Sequence, residues 1–190
     1  MKRRDLLKFG LLSVFAAAGG TGFLKLYKYN LGVRKITEYP APILRKVSTP
    51  VEVIDDKIVS LSHQMISTLR YNLLNRGLSA PQVGVPKRLI VCGLYGEIKV
   101  LINPEIVEKR GAYYGYETCL SLPYHDRKII NRPGFVKVKF RGLDDTELEA
   151  AKGYAALLTH EIDHLNGTLF IDYKDENYKG RKKQKELATC

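Results

Sequence analysis

The segment Leu157 to Gly167 reads L-L-T-H-E-I-D-H-L-N-G. It decides the reading of the whole chain. His160 and His164 are four residues apart. On an α-helix, positions i and i+4 share one face and lie one turn apart. Two imidazoles so placed can grip one divalent metal. Glu161 adjoins the first of them, within reach of a water at such a metal. The pattern is H-E-x-x-H, two ligands and one general base, as in metallohydrolases. The segment reads as a helix on its own account. Ala155, Leu158, Ile162 and Leu165 recur at helical spacing, and Asn166-Gly167 supplies a stop. The plainer alternative is an amphipathic helix carrying two core or surface histidines.

A third ligand separates the classes of metallohydrolase. One class continues H-x-x-G-x-x-H. Here Gly167 fits, but Phe170 stands where the third histidine belongs, and no histidine follows His164. Glu176 is a conceivable carboxylate ligand, set in a basic, polar tail. Cys119, in Y-E-T-C-L-S-L-P, is the better candidate.

Composition sets the frame. The chain has 190 residues, enough for one domain with a substantial core. Its net charge is +11. The first thirty residues hold six Lys and Arg against Asp5, and Lys179 to Cys190 holds five against Glu186. About +2 is left for the body of the chain. No basic helix with stacking aromatics and no nucleic-acid motif occurs, so nucleic acid is not an expected partner. Cys92, Cys119 and Cys190 are odd in number and widely spaced, which argues against a disulfide framework. Cys92 lies in an apolar run and is expected to be buried.

The chain divides into three parts. Residues 1–30 resemble a bacterial twin-arginine signal. M-K-R-R-D-L-L-K precedes an uncharged stretch from Phe9 to Leu24, and Ala16-Ala17-Ala18 offers a cleavage site. The stretch is shorter than the roughly 20 residues of a spanning helix. Export, or an inner-membrane anchor if the segment is retained, is the favoured location, with the cytoplasm as the alternative. Residues 31–174 are expected to form the domain that carries the H-E-x-x-H chemistry, and 175–190 a basic tail. A monomer is expected.

Within the domain, the prolines at 40, 42 and 50 keep residues 36–50 extended or turning. Asp55 or Asp56 caps a helix running to about Leu74, its stripe being Ile58, Leu61, Met65, Ile66, Leu69 and Leu73. R-G-L-S-A-P-Q-V-G-V-P reads as a loop, in which Gln82 would usually be exposed. Strands are expected at 88–92, at 98–103 and 106–110 around a turn at Asn103-Pro104, and at 112–122. Further strands are expected at 128–131, at 135–140, at 147–150 after a turn at Asp144-Asp145, and at 169–173. Short antiparallel strands set apart from helices make the fold α+β, with the H-E-x-x-H helix at its centre.

Three segments in order resemble the peptide deformylase family: G-L-S-A-P-Q (77–82), E-T-C-L-S (117–121) and H-E-I-D-H (160–164). L-I-N-P at 101–104, L-R-K-V at 44–47 and H-L-N-G-T-L-F-I-D-Y at 164–173 support it. The resemblance spans 33–173. It implies that Cys119, His160 and His164 hold one metal, Fe2+ first, with Zn2+, Ni2+ or Co2+ as substitutes. It implies that Glu161 moves the proton, and that the Gln82 amide and the Leu120 N–H stabilise the oxyanion. Gly77 would contact substrate through its backbone, and Ala156 and Leu157 would line the methionine pocket. The implied reaction releases formate from an N-formylated peptide or nascent chain. Thr118 departs from the family's glycine before the cysteine, Asn75 from a glycine and Ser79 from an alanine. A β-branched residue at 118 would add bulk beside the cleft. Two other readings compete. One is a deformylase-like protein that holds peptide or metal without efficient turnover, or with an altered substrate. The other is a different metal-dependent amidase.

Overall fold

The computed structural model describes residues 32–176, apart from 73–75 and 143–146. The signal-like segment, Leu73, Leu74, Asn75, the Asp144-Asp145 turn and the tail beyond 176 therefore lie outside the described residues. Helix α1 is Asp56–Tyr71. Strands follow at β1 (Gly77–Ser79), β2 (Leu89–Leu94), β3 (Glu97–Arg110), β4 (Tyr113–Glu117), β5 (Lys128–Arg132), β6 (Phe135–Arg141) and β7 (Glu147–Ala151). Helix α2 is Gly153–Leu165. The fold is α+β, as the sequence indicates.

Five strands form one antiparallel sheet in the order β1-β2-β3-β6-β7, and β4 pairs with β5 in a separate ribbon. Strand β2 shows how the layers arise. Its residues are apolar without alternation because both faces of the sheet are covered. Leu89 and Val91 face α1, in a core with Leu61, Met65 and Leu69. Ile90, Cys92 and Leu94 face α2, in a core with Leu158, Ile162 and Leu165. Cys92 is fully buried, as its apolar setting implies.

The helix signals act as chemistry requires. The Asp55 side chain accepts the Ile58 N–H at 3.0 Å, capping α1. Helix α2 ends at Leu165, and Gly167 takes φ +73° just beyond it. Glycine is required there twice over. The left-handed conformation disfavours a side chain, and a Cβ would lie 2.5 Å from the Arg45 carbonyl oxygen. Ser48 N–H donates to Leu165 O at 2.8 Å, tying the proline-rich segment to the same helix end.

Four elements differ from their sequence reading. Residues 97–110 form one long strand instead of two around a turn. Asn103 takes φ +52° within it, the register shifts between Ile102 and Glu105, and Pro104 sits in that irregularity. A proline is tolerated at such a bulge because no ladder donor is needed there. The Asn103 amide meanwhile clamps both the N–H and the C=O of Val51, at 2.8 and 2.9 Å. Residues 77–79 are a strand, paired with β2, leading into a 3-10 turn at Ala80–Val83. Strand β4 ends at Glu117, so Cys119 lies in the loop after it. Residues 170–172 are a 3-10 turn instead of a strand, closed by the Asp172 carboxylate accepting Leu169 N–H at 2.8 Å.

Candidate metal centre

Helix α2 lies between the large sheet and the β4-β5 ribbon, so its residues face two layers. His160, Glu161 and His164 are all buried. The loop after β4 brings Cys119 against them. The ligand atoms of Cys119, His160 and His164 lie within 4.8 Å of one another, and Cys119 Sγ is 3.2 Å from His164 Nε2. In a tetrahedral site with bonds near 2.0–2.3 Å, ligand atoms lie roughly 3.3–3.7 Å apart. The three side chains therefore suit one divalent ion. Among the described residues this is the group able to hold a metal, and Glu176 is outside it.

The shell around the ligands fits a metal too. His160 Nδ1 is 2.9 Å from Glu117 Oε2. A carboxylate only accepts, so Nδ1 carries the proton and Nε2 is left for an ion. Glu117 in turn accepts two hydrogen bonds from Arg132, at 2.6 and 2.9 Å. Arg132 also reaches Asp163, which accepts the Tyr173 hydroxyl at 2.8 Å. Burial works against the Glu117 charge, but Arg132 and His160 outweigh it and hold the carboxyl at about 2. For His160, burial favours the neutral ring. Cys119 and Glu117 outweigh it and raise the imidazole to about 10 when no metal is bound. His164 is held well below its ordinary value by burial, with His160 and Arg132 adding to the effect. Metal binding at such a site displaces protons from its ligands.

Glu161 faces the same cleft from α2. Burial raises its carboxyl to about 7, against the opposing influence of His160 and Ser79. Its Oε2 is buried with no hydrogen-bond partner among the described residues. A buried acceptor without a protein donor, on a residue that lines the cleft, suits a water or a substrate N–H.

Gln82 is buried at 2% exposure, contrary to its sequence reading as a loop residue. The cause is the turn that holds it. Gln82 Oε1 accepts both the N–H and the hydroxyl of Ser79, each at 2.9 Å. Because Ser79 N–H can only donate, the oxygen must be the atom facing it, and the NH2 group points to the site. That NH2 lies 3.4 Å from Cys119 Sγ and 3.3 Å from Ser121 Oγ.

The cleft has a volume of about 220 Å3. Gly77, Gln82, Leu120, Ala156 and Leu157 line it together with Cys119, His160 and Glu161. His164 is the deeper ligand, 1% exposed. Thr118 is exposed at the cleft's edge. Glu117, Arg132, Asp163, Tyr173 and Ser121 join the site without having been singled out by their residue patterns. A signal was present for Glu117 and Ser121, inside E-T-C-L-S, for Asp163, inside H-E-I-D-H, and for Tyr173, at the end of the 164–173 match. Arg132 lay in an unremarkable strand.

Comparison with known proteins shows the family. The family model described as "Polypeptide deformylase" matches residues 33–180. The chain belongs to the peptide deformylase family. Peptide deformylase 1 of Clostridium acetobutylicum is 42% identical over 144 residues, covering 75% of this chain and 95% of that one. The peptide deformylase of Rhizobium meliloti is 43% identical over 151 residues, covering 74% and 84%. Among solved structures, a deformylase from Legionella pneumophila superposes with a TM-score of 0.70 at 35% identity, covering 83% and 96%. A class I type b deformylase from Acinetobacter baumannii with Met-Ala-Ser bound gives 0.67 at 30% identity, covering 75% and 98%.

Proposed function

We infer that this deformylase hydrolyses the formyl amide of N-formylmethionyl peptides through Cys119, His160 and His164 as metal ligands and Glu161 as proton carrier. The observation that carries the reading is the convergence of these four buried side chains, with the Cys119, His160 and His164 ligand atoms within 4.8 Å of one another and Glu161 lining the same cleft as Cys119 and His160. A bound divalent ion supplies Lewis acidity, lowering the pKa of water and polarising the formyl carbonyl. A thiolate and two neutral imidazoles leave about one positive charge for that task.

The residues of the chain divide the remaining work. Glu161 takes a proton from the attacking water as the new C–O bond forms at the formyl carbon. The formyl oxygen then bears negative charge, which the Gln82 NH2 and the Leu120 backbone N–H stabilise as donors. Ser79 holds the Gln82 amide in the donating orientation, which supports this role. Glu161 returns the proton to the nitrogen as the C–N bond breaks. Formate leaves, and the peptide keeps a free amino terminus. The Gly77 backbone contacts the substrate near the formyl group, and Ala156 and Leu157 line the methionine side chain.

Ferrous iron is the first assignment for the metal, with zinc, nickel or cobalt compatible with the same thiolate and imidazole donors. A short peptide such as Met-Ala-Ser, the peptide bound in the Acinetobacter structure, represents the product class. Residues 31–174 carry the activity as a monomer. Residues 1–30 act as an export signal or membrane anchor, with cytoplasmic residence as the alternative, and fractionation of cells expressing the full chain separates the two. No described helix is long and apolar enough to cross a membrane. The deciding experiment is formate release from formyl-Met-Ala-Ser by anaerobically prepared, iron-loaded protein. Release is expected, abolished by chelation and absent with the acetylated peptide. Equal release after complete metal removal would overturn the reading.

A further inference from the structure

We propose that Tyr113 is the specificity-determining wall of the cleft, its ring filling space that two glycines leave open. The proposal rests on the deformylase reading above and deepens it.

Strand β4 alternates. Tyr114 and Tyr116 lie on its outer face, each 59% exposed. Tyr113, Gly115 and Glu117 share the other face, toward the metal centre. Gly115 contributes no side chain there. The ring of Tyr113 occupies the position instead: a Cβ on Gly115 would lie 2.7 Å from Tyr113 Cε1. The ring continues across to the first residue of α2, where a Cβ on Gly153 would lie 3.7 Å from the Tyr113 hydroxyl oxygen. One side chain therefore bridges the ribbon and the helix. Tyr113, Gly115 and Gly153 all line the cleft, as do Ala156 and Leu157, one turn beyond Gly153 on α2.

The consequence is a subsite whose shape depends on one removable ring. The small residues Gly115, Gly153 and Ala156 would otherwise leave a broad cavity. With the ring in place, the opening suits a slim, unbranched side chain such as that of methionine. A bulky first residue meets the ring. The recognising surface is the aromatic plane, and the hydroxyl is not required for it.

The test compares formyl-Met-Ala-Ser with formyl-Phe-Ala-Ser on the iron-loaded full chain. Wild type is expected to favour methionine. Tyr113→Ala is expected to raise the Phe-to-Met ratio of kcat/KM by about tenfold or more. Tyr113→Phe is expected to keep the wild-type ratio within about twofold. Tyr113→Leu, which removes the ring but keeps an apolar side chain, should follow alanine and serves if the alanine variant does not fold. Direct binding of Met-Ala-Ser and Phe-Ala-Ser, by calorimetry on the same proteins, should show the same shift in preference. Unchanged preference in folded Tyr113→Ala or Tyr113→Leu would overturn the proposal, and so would Tyr113→Phe behaving like alanine. Failure of the deformylase reading would look different. Wild type would then release no formate from either peptide, while the binding comparison would still judge Tyr113.

Discussion

Gly77 and Glu161 occupy adjoining space with no room for a methyl group between them. A Cβ on Gly77 would collide with Glu161 Oε1 and lie 2.9 Å from its Cδ. Gly77 itself is fixed by pairing with Cys92 across β1 and β2. The strand edge and the carboxylate are thus in direct contact, and the position of one sets the position of the other.

Gly77→Ala should therefore displace the Glu161 carboxylate. Overpacking of this kind costs about 1–3 kcal/mol. The larger effect falls on catalysis, because a displacement of about 1 Å in a reacting group is worth about a hundredfold. The expected result is a folded, metal-loaded variant with kcat lowered by about two orders of magnitude. A Gly77→Ala protein with wild-type kcat would show that Glu161 tolerates the methyl group.

Glu161→Ala separates metal binding from proton transfer. The three ligands remain, so metal content by elemental analysis should stay near one ion per chain. Formate release should fall by about 10²–10⁴-fold, the usual weight of a general acid–base group. Parallel loss of metal would instead make Glu161 part of the ligand set. Retained turnover would remove it from the chemistry.

The helix, its two histidines and its glutamate were legible because their signal is local. Spacing of four residues fixes one helical face whatever the surroundings. Glycine and proline marked the breaks, but not what lay between them. The run 77–83 looked like a loop, yet pairing with β2 makes its first half a strand and buries Gln82. That pairing depends on residues ten and more positions away, beyond any local pattern. Arg132 was illegible for the same reason. Its importance comes from Glu117, fifteen residues earlier, and from Asp163, thirty-one residues later. Strand β3 misled in another way. Asn103-Pro104 has turn chemistry, but the amide clamp on Val51 uses it to hold a bulge.

Asp172 gives a stability change with a defined pH dependence. It bonds Arg45 twice and accepts Leu169 N–H, closing the turn after α2. The hydrogen bond from Arg45 is the main cause that lowers its pKa below the ordinary value of 3.8. A lowered carboxylate stabilises the fold fully above its unfolded pKa. That contribution disappears as pH falls through the folded value. The pair is over a third exposed, so solvent screening keeps it small. Asp172→Asn should cost about 1 kcal/mol at neutral pH. Urea titrations of both proteins should converge as pH drops below about 4. A gap that persists unchanged at pH 2.5 would place the effect in packing and not in the charge.

Glu117→Gln probes the link between the ion-pair network and the metal. Wild-type Glu117 joins His160 Nδ1 to Arg132, with all three side chains buried. The amide keeps the shape but removes the charge facing Arg132. Asp163 remains as the partner of that guanidinium. Breaking a buried pair from one side costs about 3–5 kcal/mol, and retained hydrogen bonding places this variant at the lower end. The imidazole also loses the carboxylate that orients it and raises its basicity. Loss of such a partner weakens metal binding by about 10–100-fold. Competition with a chromophoric chelator should read that loss, and urea unfolding of metal-free protein should read the stability term separately. Lower stability with unchanged metal affinity would assign Glu117 to the scaffold alone. The expected result is both, because one carboxylate serves the fold through Arg132 and the ligand through His160.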